Sequence, residues 1–225
     1  MLNNVAIKNL LWSIIMLNFD FNKILNVVDT DIYRESISDR ISSLFNMYTK
    51  IYNKVLVIRF DIRYPNKFIF TGNTENISQF MKIFIQKYSR KGLSPCYVWV
   101  REQGLRSSNP HYHCLLLLDA NKTYSYYQYL KSAEEIWGRI LRVDHAGLIH
   151  HCTKDYFGNK QKNGIILRGD DPEVEKKTCM VIKQILYMAK DHTKGVYNDG
   201  YRDFGMSRLS SIPLLREKYR RYRGK

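Results

Sequence analysis

The hydrophobic pattern of this chain changes period several times, and each change marks an element. From Lys54 to Ile62 the chain is rich in Val, Leu and Ile and predicts a strand. Its far end alternates, with Arg59, Asp61 and Arg63 on one face and Phe60 and Ile62 on the other. Tyr64-Pro65-Asn66 then breaks the run. Between Asn76 and Tyr88 the apolar residues Ile77, Phe80, Met81, Phe84, Ile85 and Tyr88 recur at helical spacing. Tyr97 to Arg101 predicts a second strand ending at Glu102. A third starts at His111-Tyr112-His113, continues through Cys114 to Leu118 and ends at Asp119; the two strands pair across a loop from Gly104 to Pro110. A helix from Ser125 to Leu141, with Tyr126, Leu130, Ala133 and Trp137 inward, precedes a short strand over Gly147 to Cys152.

The order β-α-β-β-α-β is the split βαβ arrangement, so the expected class is α+β, a ferredoxin-like fold on a central antiparallel sheet. Right-handed crossovers put both helices on one face and leave the other open or covered by the termini. Upstream, residues 1–50 predict a helical extension. Thr30 or Asp31 caps a segment that runs to about Tyr48 and buries Ile37, Ile41, Leu44 and Phe45. Downstream, a loop holds Gly158, Asn163 and Gly164. Asp171 then reads as an N-cap with Pro172 in the first helical position. The helix predicted from Pro172 to about His192, with Gly195 beyond it, turns Val174, Thr178, Val181, Ile182, Ile185, Met188 and Ala189 inward. Lys183, Tyr187, Lys190 and Lys194 lie on its outer face, one tyrosine among three lysines. The expected division is an extension over 1–50, one main domain over 51–215 and a basic tail over 216–225.

Composition then narrows the partners. The 225 residues suffice for one substantial core. The apolar run from Leu10 to Leu17 is too short to span a bilayer and lacks a cleavage site, so a soluble, cytoplasmic protein is expected. Cys96, Cys114, Cys152 and Cys179 are scattered, against a zinc ribbon or a disulfide scaffold. Thirty-six Lys and Arg against 21 acidic residues leave a formal charge of +15, which favours a polyanion as partner. Seventeen Tyr, 10 Phe and 3 Trp interleave with these charges. Most serve the core, but some can stack on single-stranded bases.

Three groups of residues carry chemistry. His111 and His113, two apart on a strand, share a face and converge as nitrogen ligands. With Glu102 on the paired strand, they make a mixed oxygen and nitrogen set suited to Mg²⁺ or Mn²⁺. Tyr187 is the candidate nucleophile; its lysine neighbours favour the phenolate and attract a phosphodiester. His150 and Cys152 form a rival metal pair on one strand face, but no partner pair is visible and a structural role is expected. Asp191 and His192, at the end of the last helix, read as capping or hydrated residues.

His111-Tyr112-His113 followed by the helical Tyr187-Met188-Ala189-Lys190 resembles the motif set of the HUH endonucleases, which comprise rolling-circle initiators, relaxases and single-strand transposases. The stretches Arg59 to Pro65, Val98 to Glu102 and Asn109 to His113 are closest to the replication-protein-like family of filamentous phages and their prophages. The resemblance spans about residues 54–210. It implies that His111, His113 and Glu102 hold the metal, that Tyr187 is the nucleophile and that Lys190 assists it. It also implies that Arg59, Asp61 and Arg63 lie on a central strand beside the metal. Further candidate DNA contacts are Arg101, Lys183, Lys194, Arg202 and Arg208. The single tyrosine matches single-tyrosine initiators. No helicase domain is present, so a host helicase and polymerase are the expected partners at a single-stranded origin. The expected activity is nicking through a 5′-phosphotyrosine to start rolling-circle replication of a phage or plasmid. The alternatives are a relaxase or single-strand transposase with the same chemistry, or a non-catalytic basic nucleic-acid-binding regulator.

Overall fold

Strand register explains the architecture. In the computed structural model, which describes residues 35–70, 74–102, 109–154, 158–189 and 202–208, strand β1 (Lys54–Arg63) lies at the centre of an antiparallel sheet. Along one side it pairs with β3 (His111–Asp119), which pairs in turn with β2 (Cys96–Glu102). The other side of β1 is shared. The two-residue β4 (Ile149–His150) pairs with Asp61 and Ile62, and β5 (Ile165–Arg168) pairs with Lys54 to Val57. The order β4-β1-β3-β2 is the expected ferredoxin-like one, extended past β2 by β6 (Phe204–Met206).

Two apolar layers flank the sheet. Helices α2 (Glu75–Arg90) and α3 (Tyr127–Leu141), the two crossovers, pack Phe80, Phe84, Leu130 and Trp137 against Leu56, Ile58, Leu116 and Leu118. Trp137 also donates its Nε1–H to the Arg63 carbonyl at 2.8 Å, tying α3 to the end of β1. The opposite face is covered by α1 (Glu35–Ile51) and α4 (Val174–Ala189). Their Ile41, Leu44, Phe45, Val181, Ile182 and Ile185 pack on Val55, Val57, Val98, Leu115 and Leu117. Each such aliphatic side chain, fully buried, contributes about 1.5–3 kcal/mol. Among the described residues, no helix is long and apolar enough to cross a membrane.

The differences from expectation are local. β5 replaces part of the expected loop, and β6 was not foreseen. The fourth strand shrinks to two residues. The helix α4 begins at Val174, although Asp171 caps this end as expected, its Oδ1 accepting the Glu173 N–H at 2.9 Å. Residues 1–34, with the Thr30 and Asp31 cap candidates, and the tail over 216–225 lie outside the described residues.

Candidate functional site

One face of the sheet is apolar at one end and polar at the other. On β1, Val55 and Val57 give way to Arg59, Asp61 and Arg63. On β3, Leu117 and Leu115 give way to His113 and His111, and on β2, Val98 and Val100 give way to Glu102. Because the strands are antiparallel, register gathers the polar ends: Asp61 lies opposite His113, and Glu102 and Arg63 lie opposite His111. Side chains on one face of facing positions are neighbours.

His113 is the hub, 3% exposed. Its Nδ1 lies 2.7 Å from Asp61 Oδ1 and its Nε2 2.6 Å from Glu102 Oε2, both within hydrogen-bond distance. The His111 ring stands edge-on, 4.8 Å from it between centroids, with Nε2 3.8 Å from Glu102 Oε1. Burial, reinforced by the charge of His113, pushes the His111 imidazole down to about 4, against the pull of Glu102 and Asp61. It is therefore neutral around pH 7, with a lone pair for a cation. Burial alone would push Asp61 up, but His113, His150 and Arg59 together outweigh it and hold this carboxyl well below the usual range. Arg59 Nη2 lies 3.6 Å from Asp61 Oδ1.

Glu102, His111 and His113 bring one ligand atom each to within 4.8 Å of one another. A carboxylate and two imidazoles converging in this way could hold a metal ion. The 2.6 Å contact between His113 and Glu102 spans the place where such an ion would join them. With that contact opened, Asp61 would orient the ligating imidazole from behind through Nδ1.

Tyr187, on the last turn of α4, packs over this cluster. Its ring lies 5.6 Å from the His113 ring, nearly perpendicular, and the Arg59 guanidinium stacks on it at 4.5 Å. It was expected on an outer face among lysines. It is half-buried instead, because the polar end of the sheet face extends beneath this turn of α4. Lys183 is exposed, while Lys190 and Lys194, with Asp191 and His192, lie outside the described residues. Among the described residues, Arg59 places a cation over the Tyr187 ring, a partner that sequence spacing along the helix could not reveal.

Arg101 requires a correction. It was expected to meet DNA, yet its side chain is fully buried, and Nη2 pairs with Asp203 Oδ1 at 2.9 Å. It sits on the α2–α3 side of the sheet and fixes the segment leading into β6, so phosphate has no access to it. Arg63, Arg202 and Arg208 are exposed.

Two further features went unforeseen. Asn163 fills the gap between β4 and β5 along the edge of β1. Its Oδ1 accepts the Arg59 N–H at 3.0 Å, and its Nδ2 donates to the carbonyls of Arg59 and His151. Asp61 also faces His150, giving the rival pair the partner that the sequence did not reveal.

A family model described as the YagK/YfjJ C-terminal domain matches residues 19–207. No curated protein and no solved structure matches.

Proposed function

We propose that this chain, which belongs to the YagK/YfjJ C-terminal domain family, is a metal-dependent single-strand DNA nicking and joining enzyme of the HUH type, acting at a replication origin. The observation that carries the reading is the Tyr187 ring set against His113, 5.6 Å away, on the face where His111 and Glu102 converge. A phenol ring packed on one imidazole of a set that also holds a second imidazole and a carboxylate is the pairing that tyrosine-based phosphodiester transfer requires.

Glu102, His111 and His113 would hold a divalent ion such as Mg²⁺ or Mn²⁺, which when bound polarises the scissile phosphate. Arg59 stacks on the Tyr187 ring and would set a guanidinium beside the phosphate that the phenol attacks. The Tyr187 oxygen forms a bond to phosphorus as the bond to the departing 3′ oxygen breaks. The phenol loses its proton, the departing oxygen gains one, and a 5′-phosphotyrosine remains beside a free 3′ hydroxyl. Because the phosphoester bond is conserved, the same site can rejoin strands without a nucleotide cofactor. Lys190, three residues beyond Tyr187 in the sequence, is assigned to the departing oxygen. The charge of +15 serves substrate capture. A host helicase and polymerase would complete rolling-circle replication of a phage or plasmid in the bacterial cytoplasm.

The test is incubation with labelled single-stranded origin DNA and Mn²⁺, with and without chelator. A denaturant-resistant protein–DNA band that vanishes with chelator and in Tyr187→Phe is expected. DNA binding without such a band, unchanged by Tyr187→Phe and by chelator, would instead support a non-catalytic basic regulator.

A further inference from the structure

Behind His113, on the edge of β1, Asp61, His150 and Cys152 bring a carboxylate oxygen, an imidazole nitrogen and a thiol sulfur to within 4.8 Å of one another. The two carboxylate oxygens of Asp61 have different neighbours. Oδ1 takes the His113 contact at 2.7 Å and the Arg59 contact at 3.6 Å, whereas Oδ2 faces His150 Nδ1 at 3.5 Å. Cys152 Sγ lies 3.6 Å from the same nitrogen.

These separations match the edges of a tetrahedron around zinc. With bonds of about 2.0–2.1 Å to oxygen and nitrogen and about 2.3 Å to sulfur, tetrahedral ligands sit about 3.3 Å apart for an O–N pair and about 3.6 Å for an N–S pair. The backbone supports the convergence. Cys152 adopts φ +49°, unusual for a residue other than glycine, just after the two residues of β4. Gln161 holds that turn by donating Nε2–H to the Cys152 carbonyl at 2.9 Å. Asp61 and Cys152 are buried, while the His150 side chain is 43% exposed, so a fourth position can be taken by water. Among the described residues, the other cysteines, Cys96, Cys114 and Cys179, belong to no such group.

We propose that Asp61, His150 and Cys152 form a second cation site, of the zinc class, distinct from the Glu102, His111 and His113 set. The thiolate makes this site softer than the oxygen and nitrogen set across His113, so the two sites differ in the ions they prefer. Carboxylate and thiolate neutralise a dication in place. The ion ties the short β4 and its following turn to the central strand, and it holds Asp61 in the orientation that His113 needs. The inference does not depend on the nicking reading.

Chelator-stripped full-length protein is titrated with Co²⁺ and followed by near-ultraviolet absorption, without DNA. The expected result is a thiolate-to-cobalt charge-transfer band that is retained in His111→Ala and in Cys179→Ser and absent from Cys152→Ser. His150→Ala, at a half-exposed position, should weaken the affinity read from that band by about tenfold or more, by analogy with losses at supporting shells. It also serves as the readout if Cys152→Ser does not fold. Folded wild-type protein saturated with Co²⁺ yet showing no band, or a band that persists in Cys152→Ser, overturns the assignment. Because the band is read without substrate, an absent protein–DNA adduct leaves this result standing, and the reverse holds as well.

Discussion

Replacing Asn163 with Ala probes how the site is held. The strand β1 has partners at both ends of its outer edge, but β5 stops at Val57 and β4 starts at Asp61. In the gap, Asn163 takes the place of a strand: it accepts the Arg59 N–H at 3.0 Å and donates to the carbonyls of Arg59 and His151. Asn163→Ala removes all three contacts while leaving the backbone groups half-sheltered. At about 1 kcal/mol net for each bond, and more where water cannot replace the partner, the loss comes to about 3 kcal/mol. With a urea slope of about 2–3 kcal/mol/M, the unfolding midpoint should fall by about 1 M or more. Tryptophan fluorescence is a suitable probe, since Trp99 and Trp137 are buried in the sheet–helix layer. The proposed nicking should fall as well, because Arg59 carries the guanidinium that stacks on Tyr187. A loss below about 1 kcal/mol would show that water substitutes for the amide and that the edge of β1 needs no clamp.

Three further outcomes follow from the geometry. Asp203→Ala removes an ionic partner of the buried Arg101 guanidinium and should cost about 3 kcal/mol of stability in chemical denaturation. DNA affinity per folded molecule should stay unchanged; a selective loss of affinity would restore Arg101 as a phosphate contact. The metal-free protein should melt at progressively lower temperature as pH falls from 7 to 4. His111 is pushed down to about 4 in the fold, so its neutral form is favoured there; its contribution is full above the ordinary value of about 6.5 and declines as acid protonates the unfolded chain first. Asp61, held below the carboxylate range, adds a loss in the same direction once pH falls below about 3.9. A melting temperature constant between pH 7 and 4 would contradict the His111 assignment. Glu102→Gln should weaken Mn²⁺ binding by at least about tenfold in calorimetry, and equal affinity would remove Glu102 from the ligand set.

The parts of this molecule legible in its sequence are those where periodicity runs long enough. β1, β3, α2, α3 and α4 each carry an apolar pattern of several residues, and the β-α-β-β-α-β order follows from them. The alternation Arg59, Asp61, Arg63 and the spacing of His111 and His113 placed five side chains on one face. Pairing of β2 with β3 then brought in Glu102. β5 and β6 escaped because four and three residues cannot establish a period. The partners of buried charges escaped for a different reason. Arg101 finds Asp203 about a hundred residues away, and Asn163 finds Arg59 across a similar interval. The stacking of Arg59 on Tyr187 joins the first strand to the last long helix. Such contacts depend on the assembled fold, so helical spacing alone pointed to lysines as the neighbours of the phenol.

The central claim is that Tyr187 becomes covalently joined to DNA beside the imidazole pair. Its most direct measurement is peptide mass spectrometry on the adduct formed with Mn²⁺ and trimmed by a nuclease. A nucleotide mass is expected on the peptide bearing Tyr187, absent when chelator is added before the DNA. A nucleotide found on any other of the 17 tyrosines, or no adduct in folded, metal-loaded protein given origin DNA, would contradict it.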